Sequence, residues 1–372
     1  MLKKINLPIL LTVMCGLFLV VVVLYGFNIG KFDFLGNKIK KQAGLQTEEE
    51  EKIIRTDYTE VARKTLDWID KQRNKEGWYI LEQGCDFEKK TCEMVWDKKE
   101  GNKDGLIATW VRLNFYDQYK DPKDLEIVKK DIDKFWDKYK DDDLKDSLWI
   151  CKITYEMAQS KYIDKTQKDK LKKMCVNYKP RSIEEVINSW SDHNESASSY
   201  DSSIAGLTNL AYRYLWFGDG DDKDLAEKYL KLFEEVYNQD FETEKEESFF
   251  NYKRRYTDDV CLMVYSSLDW FKLVVKDNRS VIALTDKYLN FNNKLTDKND
   301  GLTLMCGLVD KKLLEILKDK RFSINLELNN NYLIDKFKNN YDDGFFILSR
   351  KNRGVSTKNI AENALMVGLL IK

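Results

Sequence analysis

Residues 201–238, DSSIAGLTNLAYRYLWFGDGDDKDLAEKYLKLFEEVYN, hold two helices of opposite character in one hairpin. From Asp201 to Trp216 the stretch is apolar on most sides, which fits a helix buried all round. From Asp222 to Asn238 a single stripe of Leu225, Ala226, Tyr229, Leu230, Phe233, Val236 and Tyr237 faces a charged surface, which fits a helix with one side in water. An Asp opens each half, Asp201 and Asp224, about twenty residues apart. The same spacing recurs at Asp104/Asp124, Asp146/Asp164, Asp259/Asp277 and Asp300/Asp319.

Working outward, the apolar type returns at 104–117, 146–158, 259–274, 300–317 and 357–371, and the striped type at 58–73, 123–139, 165–176, 278–291 and 323–338. Six of each, beginning with a striped helix and ending with an apolar one, predict an all-α fold of six inner helices wrapped by six outer ones. An open solenoid would not need inner helices that are apolar on every side. Inner-to-outer connections are short and outer-to-inner ones (74–103, 177–200, 239–258, 339–356) are long. The long loops therefore gather where the inner helices begin, and that end is the expected functional face.

Three segments are expected: a membrane anchor over 1–30, a polar linker over 31–56 with the Glu48–Glu51 run, and the helical domain over 57–372. Residues 7–27 are uncharged and long enough to cross about 30 Å of hydrocarbon as a helix, which makes the lipid bilayer the expected partner. Lys31, Lys38, Lys40 and Lys41 after this span outnumber Lys3 and Lys4 before it, which alone would keep the body in the cytoplasm. The cysteines oppose that orientation. Cys85 and Cys92 share a loop, Cys151 and Cys175 would meet at one end of a hairpin, and Cys261 and Cys306 lie in the first turns of successive inner helices. Such bridges require an oxidising compartment, so the body is expected outside the cytoplasm. Lys+Arg 62 against Asp+Glu 63 gives a net charge of -1, which implies no general attraction to nucleic acid.

The stretch Ala62–Trp78, ARKTLDWIDKQRNKEGW, together with Asp343-Gly344-Phe345-Phe346 and Glu362-Asn363-Ala364-Leu365, resembles the six-hairpin glycosidase-like superfamily of (α/α)6 toroids over residues 58–372. The resemblance implies a carbohydrate ligand and a glycoside hydrolase, or a polysaccharide lyase, acting through acids at the inner-helix N-termini, with aromatic residues stacking on sugar rings. Carried over to this chain, it points to Asp104, Asp201, Asp258, Asp259, Asp300 and Glu362. Asp is also a preferred helix N-cap, and capping alone would produce such a recurrence. Two places exceed capping. Tyr200-Asp201 follows a loop holding Trp190 and the single histidine, His193, and Tyr256-Thr257-Asp258-Asp259 offers two carboxylates where one cap suffices. Asp201 and Asp258 are therefore the candidate acid and base, with Trp78, Trp190, His193, Tyr200 and Tyr256 as candidate walls.

Asp219-Gly220-Asp221-Asp222 has the spelling of a terpene-cyclase protonation motif, but it falls in a short inner-to-outer link at the opposite end. Without a His pair, a CxxC or a Gly-rich phosphate loop, no metal or cofactor is expected. A glycan-binding or scaffold protein without catalysis is the alternative reading.

Overall fold

In the computed structural model, residues 57–79, 82–86, 91–94, 105–142, 144, 147–191, 204–242, 253–296, 303–337 and 355–371 are described. The candidate membrane span and linker lie outside them. Among the described residues, no helix is long and apolar enough to cross a membrane.

The described fold is helical. Its thirteen α-helices are α1 (Thr59–Lys71), α2 (Gly105–Tyr119), α3 (Pro122–Tyr139), α4 (Ile150–Gln159), α5 (Lys165–Val176), α6 (Ile183–Ser191), α7 (Gly206–Phe217), α8 (Gly220–Glu242), α9 (Lys253–Asp269), α10 (Asn278–Thr296), α11 (Leu304–Leu317), α12 (Lys320–Phe337) and α13 (Ile360–Leu370). A π-helical turn, Trp270–Val275, extends α9. Three short strands, β1 (Glu82–Asp86), β2 (Thr91–Met94) and β3 (Val355–Asn359), form an antiparallel sheet in the order β2-β1-β3.

The apolar helices α2, α4, α7, α9, α11 and α13 each pack against the next, and α13 returns to α2. Their order is cyclic, which explains why these segments carry so few polar faces: neighbours flank each of them on both sides. The striped helices back them, with α3 on α2, α5 on α4, α8 on α7, α10 on α9, α12 on α11 and α1 on α13. The expected pairing of 58–73 with 357–371 is therefore present. Strand β3 leads straight into α13 and pairs with β1, Glu82 opposite Asn359 and Asp86 opposite Val355.

The links between inner and outer helices repeat one local device. Lys120, Gly218, Lys276 and Lys318 adopt left-handed backbone (φ 60°, 70°, 57° and 56°), which ends the inner helix. An Asp follows each of them at once. Asp121, Asp219, Asp277 and Asp319 accept from the N–H groups of Lys123, Asp221, Arg279 and Arg321 at 3.1, 3.1, 2.9 and 2.9 Å, so they cap the outer helices. Asp219-Gly220-Asp221-Asp222 is one such cap. Asp124, expected as a cap, is instead fully buried and held by Arg63 at 2.8 Å and Arg112 at 2.7 Å. Arg112 also reaches Asp70 at 2.7 Å, while Asp131 takes both nitrogens of Arg73 at 2.8 Å. These bonds knit α1 to α2 and α3 through charge-assisted pairs.

Among the described residues, two disulfides cross-link the helices. Cys151 and Cys175 join α4 to α5 with Cα atoms 4.7 Å apart, inside the expected bridging range of about 4.4–6.8 Å. Cys261 and Cys306 join neighbouring inner helices α9 and α11, Cα atoms 5.0 Å apart. Cys85 and Cys92 are cross-strand partners in the β1–β2 register.

Several boundaries differ from those expected. Trp190, expected in a loop, belongs to α6, whose start carries reciprocal bonds from Ser182 N–H to Glu185 Oε2 (2.7 Å) and from Glu185 N–H to Ser182 Oγ (3.2 Å). That is a capping box, and Ser182-Ile183-Glu184-Glu185 spells it. Strands β1 and β2 lie in a stretch expected to be a loop, whereas β3 takes the end of another expected loop and the first three residues, 357–359, of the expected last inner helix. Helix α9 starts at Lys253, one and a half turns before Asp259.

Candidate functional site

Polar side chains interrupt the otherwise apolar C-terminal halves of the inner helices, and there they line a cavity of about 470 Å³. Its buried lining includes Trp110 of α2, Lys152 of α4, Tyr212 of α7, Tyr265 and Asp269 of α9, and Leu308 of α11; the half-buried Glu156 and Lys312 join them. Exposed Asn114, Asp117, Lys272 and Glu315 form its rim. Lys272 belongs to the π-helical turn, a local form that shifts the helix register and re-aims side chains.

A chain of hydrogen bonds crosses the cavity. Glu156 accepts from Trp110 Nε1 (2.9 Å), Lys152 Nζ and Tyr212 OH (2.9 Å). Asp269 lies 3.4 Å from the same phenol and 3.4 Å from Thr208 Oγ1, whose nearer acceptor is Ser266 Oγ at 2.9 Å, and it forms an ion pair with Lys312 Nζ. The single phenolic proton goes to the nearer carboxylate, Glu156, which leaves Lys312 as the strong donor to the facing oxygen of Asp269. Lys312 Nζ also rests 3.7 Å from the centre of the Tyr265 ring, and Tyr265 stacks on Trp149 at 4.9 Å.

The two buried ammonium groups differ. Burial would push Lys152 down, but Glu156, then Tyr212, Tyr265 and Asp269, hold it well above the ordinary lysine value. Lys312 is pushed down to about 8 by burial, with Asp269 opposing and nearby Lys152 adding to the fall. Burial raises the Tyr212 phenol, and Asp269 raises it further. Lys311, lowered by burial, donates to the carbonyls of Gly368 (2.7 Å) and Ile371 (2.6 Å) and so caps the end of α13.

None of the residues singled out in the sequence whose side chains are described lines this cavity. Trp78 packs edge-on against Phe135 (5.7 Å) and Tyr139 (6.4 Å) of the outer helix α3, beneath Lys134 and Lys138. Glu362 is fully buried in the first turn of α13, and Asp259 is half-buried in α9; neither lines the cavity. The backbones of Tyr256 and Asp258 lie in α9 and that of Trp190 in α6, but their side chains are outside those described. Asp104, His193, Tyr200, Asp201 and Asp300 lie outside the described residues. The described cavity is thus at the end opposite to the expected mouth. Loop length drew attention to the other end, whereas the signal for this one was charge inside apolar helices: Lys152 and Glu156 in α4, Asp269 in α9 and Lys312 in α11. Among the described residues, no cluster of His, Cys, Asp or Glu could hold a metal ion.

No family model and no curated protein matches this chain. A solved structure, the Lin0763 protein from Listeria innocua, is similar in fold, with a TM-score of 0.53 and 12% identity over 85% of this chain and 97% of that one. At this identity the likeness concerns the fold alone.

Proposed function

We propose that this chain is a carbohydrate-active (α/α)6 toroid of the six-hairpin glycosidase-like kind. In this reading residues 7–27 anchor it in a membrane, the helical body faces outside the cytoplasm, and it acts on surface glycans as a glycoside hydrolase. The supporting observation is the cyclic order of inner helices around a cavity whose lining combines carboxylates with Trp110, Tyr212 and Tyr265. Aromatic faces and paired polar groups suit a sugar ring, which has apolar faces and hydroxyl edges. The disulfides fit an oxidising compartment.

Glycosidic hydrolysis needs one carboxyl to give a proton and another to act as base or nucleophile. Glu156 already accepts from three donors and Asp269 is paired with Lys312, so both serve as acceptors that order the cavity. That leaves proton transfer to the candidate acids Asp201 and Asp258. Asp258 precedes Asp269 by eleven residues on α9, roughly 16 Å along a helix axis. The same engaged carboxylates favour a second reading, in which the protein holds a glycan without cleaving it.

The test is a glycan panel offered to the full-length protein in detergent, alongside Asp201→Asn and Asp258→Asn. Turnover should fall by about a hundredfold or more in the Asn variants, with unchanged melting because Asn caps a helix nearly as well as Asp. Full activity in both variants would refute these acids as catalysts. Binding by the wild type with no turnover of any glycan would establish the second reading.

A further inference from the structure

The cavity is asymmetric in how its cations are satisfied. Lys152 divides its donors between Glu156 and Tyr212, and Lys311 gives two to backbone carbonyls. Lys312, with its side chain only 12% exposed, has Asp269 as its one described carboxylate partner and the Tyr265 ring face 3.7 Å away. An ammonium has three N–H donors, and those on Lys312 that are neither taken by Asp269 nor turned to the Tyr265 face lack a described protein acceptor beside a cavity of about 470 Å³. Away from the rim, three ammonium groups (Lys152, Lys311 and Lys312) face two carboxylates (Glu156 and Asp269). A buried cation with spare donors is costly unless an acceptor completes it.

From this arrangement we infer that the cavity binds a sugar acid: the ligand's carboxylate receives the spare Lys312 N–H groups, while its ring lies among Trp110, Tyr212 and Tyr265. The inference rests on the glycan reading above and adds the ligand's charge. The groups facing Lys312 are Lys152 and Glu156 from α4, Tyr212 from α7, Tyr265 and Asp269 from α9, and Lys311 and Glu315 on its own helix. None of these supplies a second carboxylate to its ammonium in the described contacts. A bound anion would do so, and would return the depressed lysine to full protonation. Binding and proton uptake are therefore linked, by about half a proton at pH 8, more above it and weakly at pH 6, where the free amine is already charged.

Calorimetric titration of the full-length protein with sodium glucuronate, in buffers of different ionisation enthalpy, tests this. At pH 8 we expect uptake of about half a proton per ligand, falling towards zero at pH 6. Glucose and sodium acetate should each bind at least tenfold more weakly, since one lacks the charge and the other the ring. Lys312→Gln should lose the glucuronate preference, and the comparison with glucose and acetate in the wild type decides the matter even if that variant misfolds. Equal binding of glucose and glucuronate would overturn the inference while leaving a neutral-glycan function intact. Acetate binding as tightly as glucuronate would overturn the sugar part of it.

Discussion

Asp310 lies on the inner helix α11 but is turned towards the outer helices, where Tyr288 of α10 approaches its Oδ1 at 3.1 Å. The same phenol lies 3.1 Å from the Cys306 carbonyl and has only one proton to give. A protonated Asp310 resolves the shortage by donating to the phenol oxygen. Burial raises this carboxyl to about 8, against the opposing bonds from Tyr288 and Asn325. Because the folded-state value is raised, its contribution to stability is complete below the unfolded value, near 4, and is lost as pH climbs from there to about 8. Asp310→Asn copies the protonated form. Its unfolding midpoint at pH 7 should exceed that of the wild type by about 2–5 °C, and the two should converge at pH 4. A thermal scan at both pH values checks this, and equal midpoints at pH 7 would contradict it.

The recurring link of a left-handed residue followed by a capping Asp ends α2, α7, α11 and the π-helical extension of α9, whereas α4 stops at an extended Ser160. Three of the four left-handed positions are lysines, Lys120, Lys276 and Lys318, and a side chain there costs energy that glycine avoids. Lys318→Gly should therefore stabilise the protein by about 0.5–1 kcal/mol, measurable by urea denaturation, while Gly218→Ala should destabilise it. Helix identity was legible in the sequence because the inner segments are apolar on all sides and the outer ones carry a single stripe. Capping was legible too, but not its register: Asp121 and Asp219 took the role expected of Asp124 and Asp224, since a cap must sit outside the first turn, and Asp124 went to Arg63 and Arg112. The strands were missed because β1, EQGCD, and β3, VSTKN, lack alternating apolar residues. Lys152, Glu156, Asp269 and Lys312 were passed over because weighting by the first residues of the inner helices ignores charges placed further along them. Lys152 and Glu156 pair within α4, but the bonds of Glu156 to Trp110 and Tyr212 and the pairing of Asp269 with Lys312 form only when inner helices distant in sequence come together.

At the scale of the whole molecule, closure depends on contacts between the two ends of the domain. Helix α1 packs on α13, α13 packs on α2, and β3 pairs with β1. Gly307 contributes by letting α11 approach closely, since a Cβ there would collide with Asn329 of α12 and press on Leu369 of α13. A ring whose first and last elements are neighbours has no privileged starting hairpin. The polypeptide could then be reordered: joining residue 371 to residue 57 through a short Gly/Ser tether and opening the chain between Gly218 and Asp219 should yield a circular permutant. Both disulfides would survive the cut, because Cys151–Cys175 falls wholly on one side of it and Cys261–Cys306 on the other. Its circular dichroism should match that of the parent domain. Failure of this permutant to fold, when one opened inside α11 also fails, would mean that assembly must begin at the first hairpin.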